Sequence, residues 1–276
     1  MASPVRKTCA VTFSIEDYTR ITGKLDVEGV DFDSFAPQPL DAATLRCLRY
    51  MHDVEHHTIC YLRDLLVTRV HRDPEITTFL TFWSFEEYWH GEAIGRVLEA
   101  HGEAGGVRRI APMRARLGRR DRLGPVTSML SSALTGEFTA VHMTWGAINE
   151  WSTQAGYARL AAKARHPVLT DLLRRIMRQE GRHIDFYSSE ARKRLERSRT
   201  AQRMTRLALR RFWTPVGAGV MPKPEVDFLI THLFDDDEGR KAAARIDRRI
   251  DGLPGLEGLG LARRALERYH WDPSLN

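Results

Sequence analysis

Two segments of this chain place a glutamate three residues ahead of a histidine: Glu87-Tyr88-Trp89-His90 and Glu180-Gly181-Arg182-His183. At that spacing both side chains leave one face of an α-helix. A hard carboxylate beside a borderline imidazole is half a site for a divalent first-row metal. A single match means little, since 11 histidines in a chain of ordinary glutamate content give about 0.6 such pairs by chance. A third pair, Glu267 and His270, falls on a short terminal segment without a counterpart and reads as the chance match.

The elements that carry the two pairs make them more than a coincidence. Asp41 reads as an N-cap, and Leu45, Leu48, Met51, Ile59, Leu62 and Leu66 follow at helical spacing, predicting a helix to about Val70. Asp73-Pro74 reads as an N-cap with a first-turn proline, restarting a helix to about His101. A third helix is predicted from about Val126 to Arg165, and His166-Pro167 opens a fourth that runs to about Arg197. These make two hairpins, each with an Glu-x-x-His pair on its second helix. Glu55 precedes the Asp73 turn by 18 residues and Glu87 follows it by 14, about 27 Å and 21 Å of helix. Glu150 precedes the His166 turn by 16 residues and Glu180 follows it by 14. The hairpins therefore repeat one layout, and Glu55, Glu87, His90, Glu150, Glu180 and His183 form the ligand set of a dinuclear carboxylate site inside a four-helix bundle. The alternative, solvated helix charges, fits poorly. Glu55 shares its general face with Ile59, Leu62 and Leu66, and Glu150 sits inside Trp145-Gly146-Ala147-Ile148-Asn149-Glu150-Trp151. On the first helix His52, Asp53 and His56 compete with Glu55.

The rest of the chain carries less chemistry. Residues 1–40 read as irregular with one short helix capped by Ser14, with Asp17 in its first turn. Residues 102–124, with Gly105-Gly106, Pro112 and seven arginines from Arg108 to Arg122, read as a basic connection. Residues 41–198 form the bundle, and 199–276 a helical extension: a basic amphipathic stretch at 200–211, a Gly/Pro-rich loop, then helices near 224–234, 237–250 and 258–269. Strand-like alternation, a glycine-rich phosphate loop and solenoid repeats are all missing from the sequence, so the expected class is all-α. No apolar run approaches the ~20 residues of a membrane span, and the first ten residues lack the apolar stretch of a signal peptide. Cys9, Cys47 and Cys60 are odd in number and irregularly spaced, which suggests reduced thiols in a cytoplasm. The net charge of +6 comes from six lysines and 36 arginines against 36 acids. It suits an acidic partner, but no nucleic-acid reading motif accompanies it.

The motifs resemble those of the soluble acyl-carrier-protein desaturases of the ferritin-like superfamily, over about residues 45 to 195. Glu86-Glu87-Tyr88-Trp89-His90-Gly91-Glu92 looks like the family's Glu-Glu-x-Arg-His-Gly-Asp, with Trp89 in place of the arginine. Gln179-Glu180-Gly181-Arg182-His183 looks like its Asp-Glu-x-Arg-His, with Gln179 in place of an acid that orients a ligand histidine. Asn149-Glu150-Trp151-Ser152-Thr153 looks like its Gln-Glu-Arg-x-Thr. The resemblance implies a ferritin-like four-helix bundle. It implies two iron ions, or a manganese–iron pair, on Glu55, Glu87, His90, Glu150, Glu180 and His183, and a proton-relaying hydroxyl on Thr153. It further implies O2-dependent oxidation of an acyl chain, most simply desaturation, with an acyl carrier protein or acyl thioester as substrate. A ferredoxin-type donor would supply two electrons, and the expected assembly is a homodimer. Two relatives are disfavoured. The radical tyrosine of ribonucleotide reductase small subunits would fall on Ile94, and the extra histidine of arylamine N-oxygenases on Ile176.

Two readings from other classes stay beside this one: a metal-storage or ligand-binding bundle without turnover, and a bundle whose metal site has decayed. The arginines of 108–122 and of 192–211 are candidates for docking an acidic carrier, or simply solvated surface. Trp83, Trp89, Trp145 and Trp151 flank the ligand positions and read as core or as a channel lining.

Overall fold

The computed structural model describes residues 13–270, apart from the side chains at 119, 120, 122 and 134; Cys9 lies outside the described residues. Helices and loops make up all of this, with no strand among the described residues. Short α1 (Ile15–Ile21) is capped by Ser14, whose hydroxyl accepts from Asp17 N at 3.1 Å. Four long helices follow in two pairs. The first is α2 (Ala42–Leu66) and α3 (Pro74–Ala100), joined through a 3-10 turn at Arg69–Arg72. Asp41 caps α2 by accepting from Thr44 N at 2.8 Å, and Asp73 caps α3 by accepting from Glu75 and Ile76 N. Then come α4 (Gly106–Ala115) and α5 (Arg119–Leu134), and the second pair, α6 (Phe138–Ala164) and α7 (Pro167–Arg197). Only Arg165 and His166 separate α6 from α7. Arg165 takes the left-handed conformation (φ 51°) that ends α6, and the His166 ring caps α7.

Two expectations are corrected here. Residues 102–124 are not an unstructured connection: α4 lies in them and α5 begins in them, and both pack on α2. The third long helix does not start near Val126, because Thr135–Glu137 breaks α5 from α6. Glycine and proline can end a helix but do not forbid one, and the tertiary surface of α2 supplies what local propensity lacks.

Each long pair packs along its length, and the pairs meet through α2 with α6 and α3 with α7. The core falls into two apolar halves. One is built around Phe79, Trp83, Met143, Ile148, Phe186 and Tyr187, with the Phe79 and Phe186 rings stacked at 3.7 Å. The other is built around Leu48, Ile94, Leu98, Tyr157, Leu172 and Ile176. On every long helix the predicted ligand positions fall between the two halves. Ile94 and Ile176 are wholly buried apolar packing, consistent with their failing as a radical tyrosine and as a ligand.

The extension forms α8 (Arg199–Phe212), α9 (Lys223–Phe234), α10 (Asp237–Asp251) and α11 (Leu261–Arg268). It folds back over α2 and α6. Arg46 on α2 holds Glu225 with two hydrogen bonds of 2.8 and 2.9 Å, and Lys163 on α6 pairs with Asp236 at 2.8 Å. The Tyr50 hydroxyl donates to Val216 O at 2.6 Å, and Gly217 (φ 82°) lies so close to that ring that a side chain would collide with it.

His142 on α6 sits 3.0 Å from the Tyr61 hydroxyl, and burial pushes its pKa down to about 4. The unfolded chain therefore binds this proton near pH 6.5 while the folded one refuses it until about pH 4. Stability contributed by neutral His142 is present above pH 6.5 and is lost as pH falls toward 4, by about 1–3 kcal/mol after screening of a partly exposed ring. Urea denaturation of wild type and His142→Gln across that range should show a shallower decline in the variant.

Candidate metal centre

Glu55 on α2, Glu87 and His90 on α3, Glu150 on α6, and Glu180 and His183 on α7 converge in the middle of the four long helices, all of them buried. They form two quartets, each with its potential ligand atoms within 4.8 Å of one another. One is Glu55, Glu87, His90 and Glu180; the other is Glu87, Glu150, Glu180 and His183. Glu87 and Glu180 belong to both. Each quartet would offer a metal ion three carboxylates and one imidazole, with Glu87 and Glu180 available to either. Both histidines turn Nδ1 inward: His183 Nδ1 lies 2.9 Å from Glu180 and 3.2 Å from Glu87, and His90 Nδ1 lies 3.4 Å from Glu180 and 3.6 Å from Glu87.

The residues fit such a pair. His90 Nδ1 and Glu180 Oε1 are buried without a hydrogen-bond partner, and both point into the cluster. Four carboxylates and two imidazoles are the donor set of borderline divalent metals. Proton distribution tells the same story. Burial, reinforced by neighbouring carboxylates, pushes Glu55 and Glu150 well above the usual carboxylate range. Burial would also raise Glu87 and Glu180, but the neighbouring imidazoles of His183 and His90, and for Glu87 the Glu55 carboxyl, hold both below it. Burial would lower the imidazoles, yet the surrounding carboxylates raise His90 to about 9 and also hold His183 well above the usual imidazole range. Cations entering the cluster would displace the protons that these shifts favour on Glu55, Glu150 and the two imidazoles.

The surroundings set the orientation of the ligands. His183 Nε2 lies 2.8 Å from Glu86 Oε2, and burial is outweighed at Glu86 by His183 and Arg182, which hold its carboxyl down to about 2. Glu86 also accepts from Tyr18, Thr22, Gly23 N and Arg182. His90 Nε2 instead faces Gln179 Oε1 at 2.9 Å, and the Gln179 amide donates to Gly23 O at 3.1 Å. One histidine is backed by a charged carboxylate and the other by a neutral amide. Trp83 Nε1 donates to Glu150 at 2.9 Å, and the Tyr157 hydroxyl donates to Glu55.

Sequence reasoning missed Glu86, Tyr18, Thr22 and Tyr157. Glu86 stood inside the quoted motif, so its position was a signal. Tyr157, two turns beyond Glu150, had none. The competing candidates on α2 are removed from the set. His52 accepts from Gly106 N at 3.0 Å, Asp53 takes two hydrogen bonds from Arg109 at 2.7 and 2.8 Å, and His56 sits 3.4 Å from Glu92. These residues fasten α4 to α2 and α3. The argument that put Glu55 on an apolar face is also corrected, because Ile59 is 48% and Leu66 43% exposed. Glu55 is buried by α6 and the extension instead. Of the four tryptophans, Trp83 alone reaches a ligand. Trp151 is buried core, Trp145 packs against it, and Trp89 lies under Lys24.

A cavity of about 180 Å³ adjoins the cluster, lined by Glu55, Glu87, Glu150, Thr153, Trp83 and Tyr187 among others. A second, almost wholly apolar cavity of about 100 Å³ lies between α2, α6 and the extension, with Met51, Ile230, Trp213, Ile246 and Leu266 in its walls. The two share Val54, Glu55, Thr153 and Val216. Thr153 therefore stands where the apolar space meets the carboxylates. No family model, curated protein or solved structure matches the chain.

Elemental analysis should find two tightly held metal ions per chain, and Glu87→Ala or His183→Ala should lose at least one of them. Titration of the protein with Fe²⁺ or Mn²⁺ in buffers of different ionisation enthalpy should show protons released as the metal binds at neutral pH.

Proposed function

We propose that the protein is an oxygen-activating di-iron oxidoreductase built on a ferritin-like four-helix bundle, and that it desaturates or otherwise oxidises an acyl chain. The observation that carries the reading is the pair of quartets sharing Glu87 and Glu180, set at the inner end of an apolar cavity. A storage bundle has no use for such a cavity. The motifs around Glu87, Glu150 and Glu180 support the choice of chemistry by their resemblance to the acyl-carrier-protein desaturases.

Two iron ions bound by the six residues would supply the one-electron chemistry with O2 that an unactivated carbon requires. For desaturation the balance is closed by the substrate and an external donor. The chain gives up two hydrogens with two electrons, a ferredoxin-type partner gives two more electrons, and with two further protons O2 leaves as two waters. The residues of the protein do the rest. Glu86 and Gln179 fix the two imidazoles, so both Nδ1 atoms face the centre. Tyr157 and Trp83 donate to Glu55 and Glu150 and so fix the orientation of these two carboxylates. The apolar cavity excludes water and selects a carbon by where the chain lies, not by its intrinsic reactivity. Thr153, on the face of Glu150 one turn later, carries a hydroxyl at that boundary and is placed to pass a proton inward.

The test supplies reduced ferredoxin, O2 and a panel of acyl carriers, free acids and coenzyme A thioesters, with mass spectrometry of the products. Loss of two hydrogens from an acyl chain is the expected result. Fully metal-loaded protein that oxidises no acyl compound would sink the reading. Thr153→Val should keep its metals while product per O2 consumed falls several-fold; unchanged coupling would remove Thr153 from the chemistry.

A further inference from the structure

The apolar cavity has an outer end as well as an inner one. A surface groove of about 380 Å³ runs between the end of α8 and α11, lined by Arg210, Arg264, Arg268, Glu267 and Tyr269 among others. It shares Trp213, Pro215 and Ala265 with the apolar cavity. Groove and cavity are thus two sides of one wall, and on the groove side the chemistry changes abruptly from aliphatic to cationic.

Two features mark the groove as built to receive something. Arg264 Nη2 and Trp213 Nε1 are buried hydrogen-bond donors with no partner. A buried donor left unpaired costs about 1–3 kcal/mol, more when it is charged. Among the described residues no carboxylate pairs with Arg210, Arg264 or Arg268, and Glu267 is engaged by Arg263 at 3.3 Å. Several other arginines pair with carboxylates: Arg46 with Glu225, Arg109 with Asp53, Arg159 with Asp236, and Arg194 with Glu190 and Asp73. Among the described residues, three cations without a carboxylate partner line a groove that shares a wall with an apolar cavity, which suits a ligand whose head is anionic and rich in acceptor oxygens and whose tail is apolar.

We infer that the groove of Arg210, Arg264 and Arg268 binds the anionic head group of a single-chain amphiphile, whose tail enters the adjoining cavity past Trp213. As the path of a substrate this rests on the function proposed above; as a binding site it stands on the groove and cavity alone. The residues lie outside the stretch that carries the motif resemblance. The site also separates the two basic segments of the sequence. Arg108, Arg109 and Arg114 are turned to Glu99, Asp53 and the His56 carbonyl, and residues 108–122 line neither groove nor cavity. The basic run that ends in α8 contributes Arg210, and α11 contributes Arg264 and Arg268.

A carboxylate and a phosphate would both satisfy these donors, so the head could belong to a free fatty acid or to the phosphate-bearing arm of a thioester. Displacement of an environment-sensitive fluorescent fatty acid, without reductant, tests the site and compares sources. Laurate, dodecyl phosphate and lauroyl-coenzyme A are the anionic arms, and dodecanol and dodecyltrimethylammonium are the controls. At least one anionic ligand should bind about tenfold or more tightly than dodecanol, and the cationic amphiphile should bind worst. The arm that binds best names the source. Arg264→Gln and the double variant Arg210→Glu/Arg268→Glu should weaken the anionic ligands by about tenfold and leave dodecanol unchanged, with circular dichroism confirming the fold. A brominated fatty acid should quench wild-type fluorescence more than that of Trp213→Phe. Equal binding of laurate, dodecyl phosphate and dodecanol, or unaltered binding in both variants, would overturn the inference. Because no turnover is read, an absence of acyl oxidation leaves a positive result standing, and a failed head-group preference leaves the metal centre standing.

Discussion

Four carboxylates in the middle of a helical core are the constraint around which the molecule is arranged. An isolated buried charge is prohibitive, and even a paired one has to recover several kcal/mol of lost hydration. Glu55, Glu87, Glu150 and Glu180 are tolerable together only because His90 and His183 stand among them and because each carries a defined proton or partner. The apolar core is split into two halves by this polar layer. Phe79, Phe186 and Tyr187 belong to one half and Leu98, Leu172 and Ile176 to the other. Low-dielectric walls of this kind strengthen the electrostatic interactions between them.

A polar layer of this kind needs an outer shell that leaves no donor or acceptor to chance. The short N-terminal helix exists largely for this purpose. Tyr18, Thr22 and Gly23 reach Glu86 and Gln179, the two groups that back the histidines. The two backs are unequal. Glu86 is an anion held by Arg182 and favours a more basic His183, whereas Gln179 offers His90 only an amide dipole. Two metals in otherwise matching quartets would then sit in different fields, an asymmetry written into one side chain.

The extension supplies what the four long helices lack. By themselves α2 and α6 would leave Glu55 and Thr153 facing solvent, since the exposed Ile59 and Leu66 are poor cover. The loop from Trp213 to Val220 and α9 to α11 close that side, and in closing it they enclose the apolar cavity instead of filling it. Arg46, Tyr50, Arg159 and Lys163 fasten the extension at its polar edges. The apolar cavity beside the cluster is thus walled largely by residues that lie outside the two quartets.

The two Glu-x-x-His pairs, the matching heights of Glu55 with Glu87 and of Glu150 with Glu180, the caps at Asp41 and Asp73 and the boundary at His166-Pro167 were all legible in the sequence. Each depends on helical periodicity or on local hydrogen bonding, which neighbouring residues determine by themselves. The six ligand positions converge as that reasoning requires. What lay beyond it involves partners distant in sequence. Nothing local tells that His52, Asp53 and His56 clamp α4, leaving Glu55 alone to turn inward, or that Tyr157 finds Glu55 across 102 residues. Nor could periodicity show that residues 102–124 become helical against α2, or that the extension builds a cavity with a cationic mouth. Spacing along a helix fixes which side chains share a face, but which face meets which neighbour is decided only when the helices pack.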